Sequence, residues 1–348
     1  MTSTVDDSSN LWFERLYARV GVPFWAGVAL VGFLPPLLLT LLGYYAYGVK
    51  TDFTGDISLG VPLLLANIVY ILSSSRYIRR RVERLDHYAT SMGADKLPIR
   101  TGYLSDFRLV AVTWVVLLAI GALVLEPVFN PGYSLLQNLL RELLYSYTRL
   151  LQATFLWVFL SSMIAIYSMG RLPLRLKVFT DDRTLGLKPF ATTSLHLITI
   201  YVVAILLTFP IFLYPSFAVE LSLTIFLVPG LFFFLAPLIG LHKKMSEVRA
   251  EKSAMVGVRH SRVMSEVEAA GEGPLSEGLV NELLAIDAIK REIHQIHDWP
   301  FDIGTIARLT GILGAPLVAT VLAAYLIRLS GSRLPVIMVP KKATKYSN

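Results

Sequence analysis

The sequence predicts an all-α polytopic membrane protein, with seven transmembrane helices and a cytoplasmic helical hairpin between the sixth and the seventh. Three observations carry that expectation. Charge is scarce, since only 16% of the 348 residues are Asp, Glu, Lys or Arg, against about 25% in a soluble globular protein. Charge is also clustered: the windows 20–49, 57–75, 109–125, 150–170, 189–219, 221–242 and 309–327 hold none. Each reaches the roughly 17–25 residues that a helix needs to cross a hydrocarbon core. Finally, the basic residues are asymmetric. Segments 1–19, 76–108, 171–188 and 243–308 hold 24 Lys and Arg, whereas 50–56, 126–149, 220 and 328–348 hold 8. Lys and Arg collect on the cytoplasmic side of bilayer segments, so the N-terminus is expected inside and the C-terminus outside, in a cell membrane.

This composition argues against a soluble enzyme, a disordered chain and a disulfide-stapled domain. A net charge of +7 would point to nucleic acid if it were gathered in one soluble domain; divided between loops, it reads as topology, and no nucleic-acid partner is expected. The absence of cysteine removes thiolate metal sites and thiol catalysis.

Taken in order, residues 1–19 form a cytoplasmic amphipathic N-terminus, with aromatic residues at 11–19 suited to the headgroup layer. The apolar run 20–49 is too long for a signal-peptide core and is expected to be a retained first helix, kinked at Pro35-Pro36 where two backbone donors are missing. Tyr44, Tyr45 and Tyr47 mark its outer end. Helix 2 leads into Arg76, Arg79, Arg80, Arg81 and Arg84. This run is a positive-inside stop signal, and Arg76, Arg79, Arg80 and Arg81 are expected to contact anionic lipid. Residues 135–147 continue helix 4 outward, and helices 5 and 6 are joined by a tight turn. The transmembrane region 20–242 then gives way to 243–302, which is rich in both signs of charge. Gly271-Glu272-Gly273-Pro274 divides it into two helices, and Ile286, Ile289, Ile293 and Ile296 form a coiled-coil-like seam on the second. With Trp299 at the membrane face, they form a candidate anchor. Helix 7 occupies 303–328, and a basic extracytoplasmic tail occupies 329–348.

Catalytic signatures are missing: there is no phosphate-binding glycine loop, nucleophile elbow or HExxH metal motif. No enzyme activity and no cofactor are expected, and no catalytic or metal residue is nominated. His294 and His297 share a helical face near Glu292, Asp298 and Asp302, and read as a solvated face rather than a metal site. His196 is the one histidine inside an uncharged window, where an ionisable group draws attention. No Asp or Glu falls within the windows, which counts against a proton-coupled transporter.

The most informative pattern lies in helix 7. Ala307, Gly311, Ala315, Ala319 and Ala323 recur every four residues, a stripe that lets helix backbones approach closely in lipid. Thr310 and Thr320 lie on other faces. Together these seven residues are the candidate pore or subunit interface of a homo-oligomer.

Two short elements, Thr180–Phe190 (with Gly186-Leu187-Lys188-Pro189-Phe190) and Ile296–Asp302 (with Trp299-Pro300-Phe301-Asp302), resemble elements of uncharacterised prokaryotic multi-span membrane proteins. The whole architecture is similar to that of the insect odorant and gustatory receptor channels. That resemblance implies a last helix lining a tetrameric pore and cytoplasmic helices acting as the subunit anchor. The aromatic signature usual in that family's last helix is not seen in helix 7. Two functions follow as expectations: an oligomeric channel or ligand-gated sensor, or alternatively a membrane scaffold or transporter-like carrier without ion-relay residues.

Overall fold

The computed structural model describes residues 10–47, 60–93, 103–124, 134–169, 184–208, 217–271, 276–296 and 311. Among them the secondary structure is helical, with no strand: α1 (Trp12–Val20), α2 (Phe24–Val28), a π-helical turn (Ala29–Phe33), α3 (Leu34–Tyr47), α4 (Gly60–Ser91), α5 (Phe107–Val124), α6 (Leu135–Met169), α7 (Lys188–Thr208), α8 (Phe217–Ala270) and α9 (Glu277–His294). Among the described residues, three helices are long and apolar enough to cross a bilayer, at Leu135–Met169, Lys188–Thr208 and Thr224–Ala269. A fourth joins them if Trp12–Val20 and Phe24–Leu39, bent by 113°, act as one. The count covers the described residues alone, so the expectation of seven spans goes further than it; the described apolar stretch of α5 is Phe107–Leu123. Residues 303–328 lie outside the described residues, apart from Gly311.

Large apolar side chains face outward on these helices. Val228, Phe232, Leu235 and Ile239 of α8 are all exposed, and their spacing of four, three and four puts them on one face. Exposed apolar faces of this extent mark surfaces that meet a membrane or a partner. Several apolar helices with such faces fit a membrane protein.

The chain enters through a sharp corner. Gly21 ends α1 in the left-handed region (φ 72°), its N–H and that of Val22 returning to the Ala18 and Tyr17 carbonyls. Glycine adopts that conformation without strain, and Pro23 then begins the next helix. The expected kink at Pro35-Pro36 is not seen: α3 runs through both prolines, and the irregularity lies one turn earlier, as the π turn. There the Leu34 N–H bonds the Ala29 carbonyl, five residues back. The carbonyl of Val31 would find its helical donor at residue 35 or, in π geometry, at 36. Both are prolines. Val31 is buried, and its carbonyl instead accepts from the Tyr147 hydroxyl of α6.

The centre of the bundle forms where α6, α7 and α8 meet. Tyr201 of α7 stacks on Phe159 (4.3 Å between centroids) and lies parallel to Phe155 of α6. Its hydroxyl donates to the Phe226 carbonyl of α8 at 2.6 Å. Its ring also occupies the space that a side chain at Gly230 would fill, one residue past Pro229. Ser75, Ser162 and Ser194 are fully buried on α4, α6 and α7. Each hydroxyl bonds the carbonyl four residues back on its own helix, so these small residues admit close packing without stranding a polar group.

Two helices are longer than their apolar windows. α4 carries helix 2 straight through the arginine run. α8 continues the sixth apolar window without a break to Ala270, where Gly271 turns it at φ 62°. α9 packs on α8, and Glu282 accepts from Arg259 (2.9 Å) and Arg262 (3.2 Å).

Candidate functional site

The arginine run divides into two sets because α4 turns them to different faces. Arg76 and Arg79 point toward α1. Nε of Arg79 lies 3.0 Å from Oε2 of Glu14, and its Nη2 donates to Oε1 at 3.3 Å. Nη1 is taken by Glu83, one turn along α4. Arg76 Nε is 3.3 Å from the same Glu14 carboxylate, and its guanidinium covers the Phe24 ring at 4.1 Å. Burial, and Arg80 after it, draw the Arg76 pKa below the ordinary guanidinium value. Glu14 and Arg79 are 9% and 5% exposed, so this is an inward ion cluster rather than a solvated face.

The N-terminal helix is shaped around that cluster. Leu11, Phe13 and Tyr17 are buried beside Glu14, and the Leu11 N–H donates to Glu14 Oε2. Trp12 Nε1 donates to Thr154 of α6 (2.9 Å), and Arg15 donates to the Ser105 carbonyl (2.8 Å) before α5. The apolar side of α1 is thus spent on the bundle itself.

Arg80, Arg81 and Arg84 form the second set. Among the described residues none has a carboxylate within ion-pair distance. Arg84 Nε donates to the Arg80 carbonyl, Arg81 Nη1 donates to the Tyr77 hydroxyl at 3.4 Å, and Arg81 Nη2 lies 3.2 Å from His196 Nδ1 on α7. Of the four arginines expected to touch lipid, Arg76 and Arg79 are therefore engaged by Glu14, while Arg80 and Arg81 belong to the outward set.

A further cation sits where its sequence window would not put it. Arg149 borders the uncharged window of helix 4, yet Nη1 donates to the Leu117 carbonyl of α5 (2.8 Å). Leu117 is ten residues into α5, about 15 Å at 1.5 Å per residue, so a guanidinium rests against the middle of an apolar helix. Gly121 makes room, since a Cβ there would lie 2.6 Å from Arg149 Nη1. Asn67, also buried, donates to Thr208 Oγ1 at 3.3 Å.

The residues nominated from sequence fare unevenly. Ala307, Thr310, Ala315, Ala319, Thr320, Ala323 and Trp299 lie outside the described residues; Gly311 is described and exposed. Ile286, Ile293 and Ile296 are buried; Ile293 and Ile296 share a core with Met245 of α8, and Ile289 and Val256 pack against it. His294 is exposed, and His297, Asp298 and Asp302 lie outside the described residues. Among the described residues no three His, Asp or Glu side chains are grouped as metal ligands would be.

The described part of the Gly-Leu-Lys-Pro-Phe element, Thr184–Phe190, has a structural account. Leu185 (φ 56°) and Gly186 (φ 84°) make a left-handed turn, the Gly186 carbonyl accepts from Tyr88 of α4 (3.1 Å), and Pro189 stands in the first turn of α7, where its missing N–H costs nothing. Comparison with known proteins adds no relative: no family model matches the chain, and neither a curated protein nor a solved structure is similar to it.

Proposed function

We propose that the chain is a seven-span integral membrane protein of the cell membrane, N-terminus inside and C-terminus outside, working as an oligomeric channel or ligand-gated sensor. In this reading α3, α4, α5 and residues 303–328 complete the spans, and α9 with the distal part of α8 forms a cytoplasmic hairpin. The hairpin is the subunit anchor, and residues 303–328 provide the pore or interface.

The observation that supports it best is the continuity of α8. One unbroken helix carries the sixth apolar window into a charged segment on which α9 docks. An event at the hairpin is therefore tied by backbone hydrogen bonds to a helix that packs on α6 and α7. Buried Ile286, Ile293 and Ile296 add an apolar seam to that segment.

The test is the oligomeric state of the full chain in lipid nanodiscs, wild type against Gly311→Leu. Filling the small-residue stripe should push a partner helix away at a cost of about 1–3 kcal/mol. A wild-type oligomer that dissociates in the variant supports the channel or sensor. A wild-type monomer sinks it and favours the scaffold or carrier. Labelling of Ser9→Cys and Ser347→Cys from either side tests the topology separately, and finding both on one side would mean an even number of spans.

A further inference from the structure

We propose that the outward face of α4, bearing Tyr77, Arg80, Arg81 and Arg84, together with His196 of α7, binds the phosphate of an anionic phospholipid headgroup. The proposal goes beyond the channel reading and holds whatever the oligomeric state.

The spacing comes first. Residues 77, 80, 81 and 84 stand at i, i+3, i+4 and i+7, so one face of α4 collects them. Among the described residues the acids near this face are otherwise placed. Glu14 and Glu83 are bound to Arg76 and Arg79, and Asp86 lies about 120° around the helix from Arg80 and about 160° from Arg84 by its 100° steps. Three guanidinium groups are left on one face with no acid among the described residues to neutralise them.

Hydrogen-bond chemistry then specifies the kind of ligand. A guanidinium only donates. His196 Nδ1, 3.2 Å from Arg81 Nη2, helps to position that guanidinium, and the ring also bonds the Thr192 backbone. The Tyr77 hydroxyl accepts from Arg81 and keeps its own hydrogen to donate. The face thus presents three cations and a phenol O–H, all donors. Its complement is an anion with several acceptor oxygens, and arginine suits phosphate because its planar fork can donate two parallel bonds.

Position selects the source. The uncharged stretch of α4 ends at Ser75, half a turn before Tyr77, whereas that of α7 begins at Pro189, about two turns before His196. On α4 the face therefore begins where apolar helix gives way to charged helix, the level of headgroups rather than of acyl chains. Tyr77, 39% exposed, is the kind of aromatic residue that favours that level. A lipid can place its phosphate there while its chains continue along the apolar surface.

The experiment compares the full-length protein in nanodiscs of phosphatidylcholine alone and with phosphatidylglycerol, reading lipid that stays bound by native mass spectrometry. Wild type should retain phosphatidylglycerol in preference to phosphatidylcholine. Arg81→Gln and Arg80→Gln should each weaken that preference about fivefold, as expected for one basic residue at a lipid surface. Arg259→Gln, which removes an arginine from the α8–α9 contact, should leave it unchanged. Equal retention of both lipids by wild type needs no variant and overturns the proposal. So does an equal loss in Arg259→Gln, which would mean that net charge alone attracts the lipid. Displacement of the bound lipid by millimolar inorganic phosphate would reassign the face to a soluble anion.

Discussion

Glu14 and Arg79 are 65 residues apart in sequence, and their side chains meet at 3.0 Å in the interior of the protein. That pair joins the first helix to the arginine run, and its consequences are measurable. Removing one partner of a buried ion pair strands the other charge, at a cost of about 3–5 kcal/mol. Glu14→Gln leaves Arg79 with Glu83 alone and Arg76 with its aromatic contact. The variant should lose stability by an amount near the lower end of that range, read as a fall in Tm in detergent. Arg79→Met with Glu14→Gln should lose less than the two single losses added. Additive losses would mean that the two side chains do not interact.

Tyr147 supplies the hydrogen that neither helical pattern can give the Val31 carbonyl, because residues 35 and 36 are prolines. Tyr147→Phe should cost about 1–3 kcal/mol, the range for stranding a buried acceptor. Replacing Pro35 by Ala in the same background restores a backbone donor and should recover part of that loss. Thermal unfolding of the two variants side by side checks both expectations.

Glycines on α8 offer a contrast within one helix. A methyl at Gly230 would enter the space held by the Tyr201 ring, and that ring is fixed between α6 and α8. Gly230→Ala should destabilise by about 1–3 kcal/mol, as overpacking does. At Gly257 no atom lies within 4 Å of the new methyl. Gly257→Ala should stabilise by about 0.5–1 kcal/mol through helix propensity. Equal effects at the two sites would contradict the packing at Tyr201.

Acid should loosen α9 from α8. The hydrogen bond from Arg259, followed by the charges of Arg259 and Arg262, holds the Glu282 carboxyl below its ordinary value. A depressed folded-state pKa gives stability that is present above the unfolded carboxylate value and is lost as pH falls through the folded one. Proteolytic susceptibility of the α8–α9 contact should therefore rise as pH drops through and below the usual carboxylate range. Glu282→Gln should abolish that dependence, and a variant that keeps it would point to another acid.

Much of the fold was legible because it depends on local composition. The uncharged windows, the irregular turn before Pro35-Pro36 and the break at Gly271 all rest on residues within a turn or two of the feature they cause. What the windows could not show is where helices continue. α4 runs through its arginines and α8 through its lysines because charged residues with good helix propensity extend a helix once it is nucleated. The partner of the arginine run was missed because Glu14 lies so far away along the chain. One signal was present: Glu14 is an acid among Leu11, Phe13 and Tyr17, on the side of the first helix that has to be buried. Arg149 was counted with the outer residues, since a one-dimensional window cannot reveal that α5 lies alongside with Gly121 open to receive a guanidinium. The Val31 carbonyl follows the same pattern, its donor coming from another helix.

The length of α8 has a mechanical consequence. Fifty-four residues at 1.5 Å each make a rod of about 80 Å, of which a bilayer core takes about 30 Å. With a fulcrum in the bundle near Tyr201 and Gly230, a tilt of about 5° would sweep the far end sideways by about 5 Å over an arm of about 60 Å. By that lever, motion too small to unpack the bundle would become a displacement of several ångströms at the far end, and a push there would act back on the bundle with the same leverage.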